Sequence, residues 1–577
     1  MNTPRIARRS TVDGNDLPGS LAPLLRRVYA ARGLRTAADL DLALAGLVDY
    51  RALGGMPRAV ELLSDALAGQ RRILVVGDFD ADGATSSALL VRVLRRMGAV
   101  HADYLVPNRF EYGYGLTPEI VALAAGRSPN LIITVDNGIS SLAGVDAARE
   151  RGIRVLVTDH HLPGAVLPKA DAILNPNLPG DAFPSKALAG VGVVFYLLMA
   201  LRAHLRETGW FTKQGIPEPN LAESLDLVAL GTVADMVPLD QNNRRLVAEG
   251  LRRIRAGRAI PGIRALMEVG NRDLKRAIAA DFGFAVAPRL NAAGRLTDMS
   301  LGIECLLTDD ETRARELALK LDSLNRERRD IEAKMQQEAL AAVQRMGFRE
   351  DDPALPVGLC LFHEEWHQGV VGLVASKVKD RVHRPVIAFA RADEETLKGS
   401  GRSVPHMHIR DALEAVSSRH PGLLDKFGGH AMAAGLSLRA SDLPAFRDAF
   451  DEEARRWLDQ DDLERVLHTD GELTEQELDV TTAEMLRDAG PWGQGFPEPL
   501  FDGEFGLVDR RIVGGGHLKL VLEHPAGKRR CEAIAFGQTG EHLPGDCRRV
   551  RIAYRPDVNE YRGERRLQLL IEHIEPA

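Results

Sequence analysis

RRILVVGDFDADGATSSALLVRVLRRMG, residues 71–98, decides the fold. The short apolar run ILVV is bounded by turn and charged residues, the pattern of a strand buried on both faces of a parallel sheet. The later part has apolar residues at helical spacing and stops at Gly98. Between them, GDFDADGATS (77–86) sets Asp78, Asp80 and Asp82 at alternate positions. Like charges that close repel, and they are worth holding together when a cation lies between them.

The pattern continues outward. LIITVDNG (131–138) reads as strand then turn, SLAGVDAARERG (141–152) as a helix, and RVLVTDHH (154–161) as a third strand. This is βαβαβ, the doubly wound α/β arrangement. Asp78, Asp136 and Asp159 follow the three strands at their C-terminal ends, the edge where ligands of such sheets collect. DAILNP (171–176) offers a further strand, and SLDLVALGTVADMVPL (224–239) a helix running into a loop that carries Asp235. From Asp309 to about Met346 there is neither Gly nor Pro, and the spacing predicts one long connecting helix. LPVGLCLF (355–362) opens a second α/β domain. LKLVLEH (518–524), RRVRIAYRPDV (548–558) and RRLQLLIEHIEP (565–576) predict a C-terminal β-barrel or sandwich. The expected division is 1–45, an N-terminal helical extension; 46–308, the catalytic domain; 309–347, the connecting helix; 348–457, the second α/β domain; and 458–577, the β domain.

A chain of 577 residues exceeds one hydrophobic core. Hydrophobic content of 45% and charged content of 27% are those of a soluble globular protein. No apolar run reaches the roughly 18 residues of a membrane span, and the N-terminus lacks the apolar region of a signal peptide. Cys305, Cys360, Cys531 and Cys547 are scattered, which argues against a zinc ribbon or disulfide framework and for a reducing, cytoplasmic location. Net charge of −7 speaks against non-specific nucleic-acid binding. Yet arginines crowd 244–276 and the C-terminal region, so a basic groove remains available.

DxDxDG also matches the first half of a calcium EF-hand loop. That loop needs Glu at position twelve, where this chain has Leu89, and a helix rather than a strand before it. Helix capping would use one aspartate and leave two unexplained. A metal centre explains more: Asp80 and Asp82 converge with Asp136 from the second strand end and with Asp159, His160 and His161 from the third. Mixed carboxylate and imidazole ligands suit Mn²⁺ and admit Mg²⁺, and the lack of cysteine argues against structural zinc. Several carboxylates can hold two ions about 4 Å apart, the arrangement of phosphoryl hydrolysis, with Asp136 the natural bridge. Side chains alternate along a strand, so one of His160 and His161 ligates and the other faces substrate.

GDFDADG, VDNG (135–138), TDHH (158–161) and GTVADMVPL (231–239) together resemble the DHH phosphoesterase superfamily, in its RecJ branch. PRLNAAGR (288–295), EEWHQGVVGLVASKV (364–378), GSGRS (399–403) and KFGGHAMAAG (426–435) resemble the RecJ continuation and the DHHA1 domain, and the C-terminal β region is similar to the RecJ OB-fold domain. The resemblance covers nearly the whole chain from about residue 50. It implies a 5′→3′ exonuclease that degrades single-stranded DNA to nucleoside 5′-monophosphates in repair and recombination. It implies two Mn²⁺ or Mg²⁺ ions on Asp80, Asp82, Asp136, His160 and Asp235, with Asp78 a further ligand where many relatives carry an upstream histidine. Asp159 is implied to orient a histidine and His161 to contact the scissile phosphate. Gly428, Gly429 and His430 match a phosphate-binding GGH motif, with Arg402, Ser403, Asn291 and Arg295 as further substrate contacts and Arg109 as the 5′-phosphate residue. Lys519, Arg529, Arg530, Arg566, Trp492 and Phe496 are the expected strand contacts of the β domain. Expected protein partners are a single-stranded-DNA-binding protein and a helicase, and a monomer is expected. The rival readings are a DHH hydrolase of short oligoribonucleotides or cyclic dinucleotides, which lacks such a tail, and an inactive DNA-binding scaffold, which predicts gaps in the ligand set.

Overall fold

Ile73–Gly77 forms a strand buried at every residue, as its unbroken apolar run requires. The structure is a computed structural model that describes residues 4–10, 16–107, 112, 115–345, 356–459, 461–527, 529–540, 543–561 and 563–577. Ile73–Gly77 lies inside a five-stranded parallel sheet whose spatial order is Ala102–Leu105, Ile73–Gly77, Leu131–Val135, Arg154–Thr158, Ala172–Leu174. The three strands read from the sequence are neighbours, so their C-terminal ends open onto one edge. The flanking strand Ala102–Leu105 and helix Pro118–Ala125 were absent from that reading. Four residues, ADYL, with exposed Asp103 among them, are too short to show a period.

The long helix spans Glu311–Arg345, 35 residues and therefore about 50 Å. Near its start, Asp322 pairs with Arg289 of the catalytic domain at 2.8 Å. Near its far end, Glu338 accepts the Trp366 indole N–H at 2.9 Å, and Met335 and Ala339 enter the core of the second domain. The helix therefore joins the two bodies through packed contacts at both. The second domain is a mixed sheet in the order Lys426–Gly429, Ala433–Arg439, Thr396–Arg402, Val386–Arg391, Leu359–Phe362. The C-terminal strands close into a five-stranded barrel.

The N-terminal segment is more than a helical extension. Arg5–Arg8 is a strand that pairs in parallel with Val466–Thr469, and Leu24 and Val28 of the following helix enter the barrel core. Arg32 and Asp470 make a buried ion pair at 2.8 Å, with side chains 1% and 0% exposed. Tyr29, Trp492 and Phe496 stack in the same junction, with Arg244 over the Phe496 ring at 4.4 Å. Phe496 is buried and the Trp492 N–H is spent on the Leu486 carbonyl, so these rings hold the barrel to the catalytic domain; Phe496 is therefore a core residue, whereas half-buried Trp492 also lines a large cavity. Replacing Arg32 by alanine leaves Asp470 buried without its main partner. A loss of about 3 kcal/mol is expected, read as a lower Tm and faster proteolysis at this junction. No helix among the described residues is long and apolar enough to cross a membrane.

Candidate metal centre and substrate cleft

The loop after the first strand uses its aspartates differently. Asp80 caps the helix Ala81–Arg96, accepting the Gly83 N–H at 3.0 Å, so the capping reading holds for that residue. Asp82 is buried in the first turn and accepts the N–H groups of Gly190 (2.6 Å) and Val191 (3.0 Å) from the start of the helix Gly190–Glu207. These donors were missed. The signal was ALAGVGVVF (187–195), small residues opening a helix, whose N-terminus favours an anion. A Cβ on Gly190 would lie 2.7 Å from that of Asp136, so only glycine fits. Asn291 fixes the loop from outside: its side-chain oxygen accepts the Ala81 N–H at 2.7 Å.

Asp136 has φ +62°, a left-handed conformation that costs an L-residue about 1–2 kcal/mol and is held where its neighbours demand it. Asn137 pins this turn by donating to the carbonyls of Val76 and Val135. Asp159 accepts the N–H groups of His160 (2.7 Å), His161 (3.1 Å) and Ile139 (2.9 Å), and its Oδ1 lies 2.7 Å from His161 Nδ1. It organises both histidines. His160 Nε2 sits 3.1 Å from Asp136 and 3.3 Å from Asp235.

Three overlapping groups have ligand atoms within 4.8 Å of one another: Asp78, Asp80 and Asp136; Asp136, His160 and His161; Asp82, His160 and Asp235. All six ligands expected from the sequence are therefore brought together. His160 Nε2 and Asp235 Oδ2 are buried and make no hydrogen bond. Burial, then the charge of His161, lowers the His160 pKa to about 3, so its ring is neutral and able to ligate. Burial, then the crowding of like charges, raises Asp136 and Asp235 well above the usual carboxylate range, and burial and Asp80 push Asp82 up to about 7. Such a set fits divalent cations, which would satisfy the bare donor atoms and offset the repulsion.

These shifts make stability depend on pH. The folded, metal-free protein holds protons on these carboxyls that the unfolded chain releases near pH 4, so their contribution to stability is lost as pH rises from about 4 to 7. A bound cation removes that loss. The rise in Tm on adding Mn²⁺ should be larger at about pH 8 than at about pH 5. An equal or smaller rise at the higher pH, by calorimetry, would argue against this charge cluster as the binding site.

Family models match three stretches: DHH family, N-terminal domain at residues 72–232; DHHA1 domain at 355–456; and RecJ OB domain at 469–573. The chain is 59% identical over 577 residues to the single-stranded-DNA-specific exonuclease RecJ of Dickeya dadantii (strain 3937), covering 100% of both chains. It is 54% identical over 573 residues to that of Escherichia coli (strain K12), covering 99% of each. This chain belongs to the RecJ family. The crystal structure of RecJ in complex with Mn²⁺ from Thermus thermophilus superposes with a TM-score of 0.78 at 32% identity, covering 96% of this chain and 76% of that one.

Across the cleft from the RecJ-type acidic cluster stands the second domain. The His430 ring stacks on that of His161, centroids 5.0 Å apart. Burial pulls the His161 pKa down, but its bond to Asp159 and that carboxylate's charge more than reverse this and hold it at about 9. Partial burial, then the positive His161, lowers His430. Gly429 has φ +141° and no room for a Cβ, whereas the space beside Gly428 is open. Arg295 donates to the Gly369 carbonyl at 3.0 Å and ties the two domains. Cavities of about 1270 and 550 Å³ share Asp80, Asn291, Arg295, Gly372 and Arg402 in their walls, so Arg402 and Arg295 do face the cleft.

The other expected contacts are placed as follows. Ser403 is 1% exposed and donates to the Met407 carbonyl at 2.7 Å, so it is a core residue rather than a substrate contact. Lys519, Arg530 and Arg566 are paired with Glu532, Glu523 and Glu564, and Arg529 donates to the Glu475 carbonyl. Arg109 lies outside the described residues.

Proposed function

We propose that this chain hydrolyses single-stranded DNA from its 5′ end to nucleoside 5′-monophosphates. Asp78, Asp80, Asp82, Asp136, His160 and Asp235 would hold two divalent ions, Mn²⁺ or Mg²⁺, with Asp136 common to both. The observation that carries this reading is the convergence of those donor atoms at the sheet edge, facing Gly428–His430 across a cleft walled by all three modules. It agrees with the relatives of Dickeya dadantii and Escherichia coli, which are single-stranded-DNA-specific exonucleases.

When bound, such ions activate water and neutralise charge on the phosphodiester. The remaining roles belong to the chain. His161, kept cationic at neutral pH by Asp159, is placed to donate to a phosphate oxygen. Gly428 admits an anion close to the backbone, and His430 and Arg402 add donors around it. Asp159 itself stays ionised, its pKa brought down to about 2 against its burial by its bond to His161. The intact ligand set supports an active enzyme over a scaffold, and the barrel supports a long strand over a dinucleotide.

Digestion of end-labelled single-stranded DNA with Mn²⁺ tests this. Labelled mononucleotide should leave at once from a 5′ label and late from a 3′ label, with duplex resistant. Cleavage of dinucleotides without release from long strands would favour the short-substrate hydrolase instead.

A further inference from the structure

The 1270 Å³ cavity begins at Asp80 and Asp235 and extends along the connecting helix toward the barrel junction. Phe284 stands in its wall with 75% of its surface exposed. The backbone there, Phe282–Val286, is a π turn, a rare geometry that is frequent at functional sites. Phe282 in the same turn is fully buried, so one ring anchors the turn and the other is presented. The turn runs directly into the helix Ala287–Leu296, whose Asn291 fixes the Asp80 loop. The presented ring is therefore rigidly tied to the metal centre. Met236, next to Asp235, is 70% exposed with φ +58° and lines the same cavity. Arg329 and Lys377 also line it, and neither makes an ion pair among the described residues.

An exposed aromatic face beside uncommitted cations is the combination that holds single-stranded nucleic acid. We infer that Phe284 stacks on a base of the strand in this cavity, with Met236 as an additional apolar contact and Arg329 and Lys377 toward the phosphates. The occupant is thus a nucleobase rather than an apolar segment of a protein. This rests on the exonuclease reading and adds the residue that grips the strand beyond the reacting phosphate. Stacking of this kind is indifferent to base identity, as an exonuclease needs.

The test uses the full chain and a fluorescein-labelled oligo(dT), with binding measured without metal and nucleotide release measured with Mn²⁺. Phe284→Ala should weaken binding about 10-fold and raise KM by a similar factor, with kcat nearly unchanged, and Phe284→Trp should restore both. On an oligonucleotide of abasic residues the wild type should bind as weakly as Phe284→Ala, and the variant should not distinguish the two strands. Unchanged binding in Phe284→Ala, or an equal further loss on abasic strands, overturns the inference. A wild type that binds the strand in this base-dependent way but releases no nucleotide supports the stacking and refutes the exonuclease reading. A wild type that does not bind the strand overturns both.

Discussion

Asp136→Ala should lower turnover of single-stranded DNA by about 1000-fold or more while strand binding without metal changes little. Asp136 belongs to two of the three ligand groups, so its loss damages both at once. Unfolding is not the expected cause. Burial first, then the like charges of Asp82, Asp80 and Asp235, raise the Asp136 pKa, so removing this buried acid relieves a cost in the metal-free protein. Alanine retains the left-handed strain of φ +62°, about 1 kcal/mol, which that relief opposes. The metal-free Tm should therefore stay near that of the wild type. The variant fails the account if it keeps more than about a tenth of wild-type turnover.

Asp159→Asn should cost about 100-fold in kcat/KM at pH 8 and change the shape of the pH profile. Asparagine preserves the size of the side chain and can still accept a backbone N–H. It cannot hold His161 as a cation. In the wild type His161 is raised to about 9, so its charge persists through neutral pH and the rate should fall only above that value. In the variant, burial and the absence of the carboxylate return the histidine below its ordinary 6.5, and the falling limb should move into the acidic range. A uniform loss with an unchanged profile would mean that Asp159 acts only by positioning backbone.

The sheet edge was legible because its parts are local. Strand period and parallel order suffice to bring Asp78, Asp136, Asp159 and the adjacent histidines to one place. What lay beyond local pattern was the support. Gly190 donates to Asp82 across 108 residues, and Arg32 reaches Asp470 across 438, and neither contact has a periodicity to reveal it. Ser403 could have been placed correctly. Leu397, Gly399 and Gly401 are buried at alternate positions of one strand, and Ser403 continues their face while Arg402 takes the other. Glycine often marks a turn, but here Gly399 and Gly401 lie within the strand and make room for Phe389 and Ile409. Phe496 was misplaced for a different reason: an aromatic near a β domain serves a core or a strand equally well until its neighbours are known.

The central claim is that this acidic edge holds two divalent ions, and titration calorimetry of Mn²⁺ into the metal-free protein measures it most directly. The wild type should bind two equivalents, and Asp136→Ala should lose high-affinity binding of both. No binding to the wild type, or binding that is unaltered in Asp136→Ala, would contradict the account.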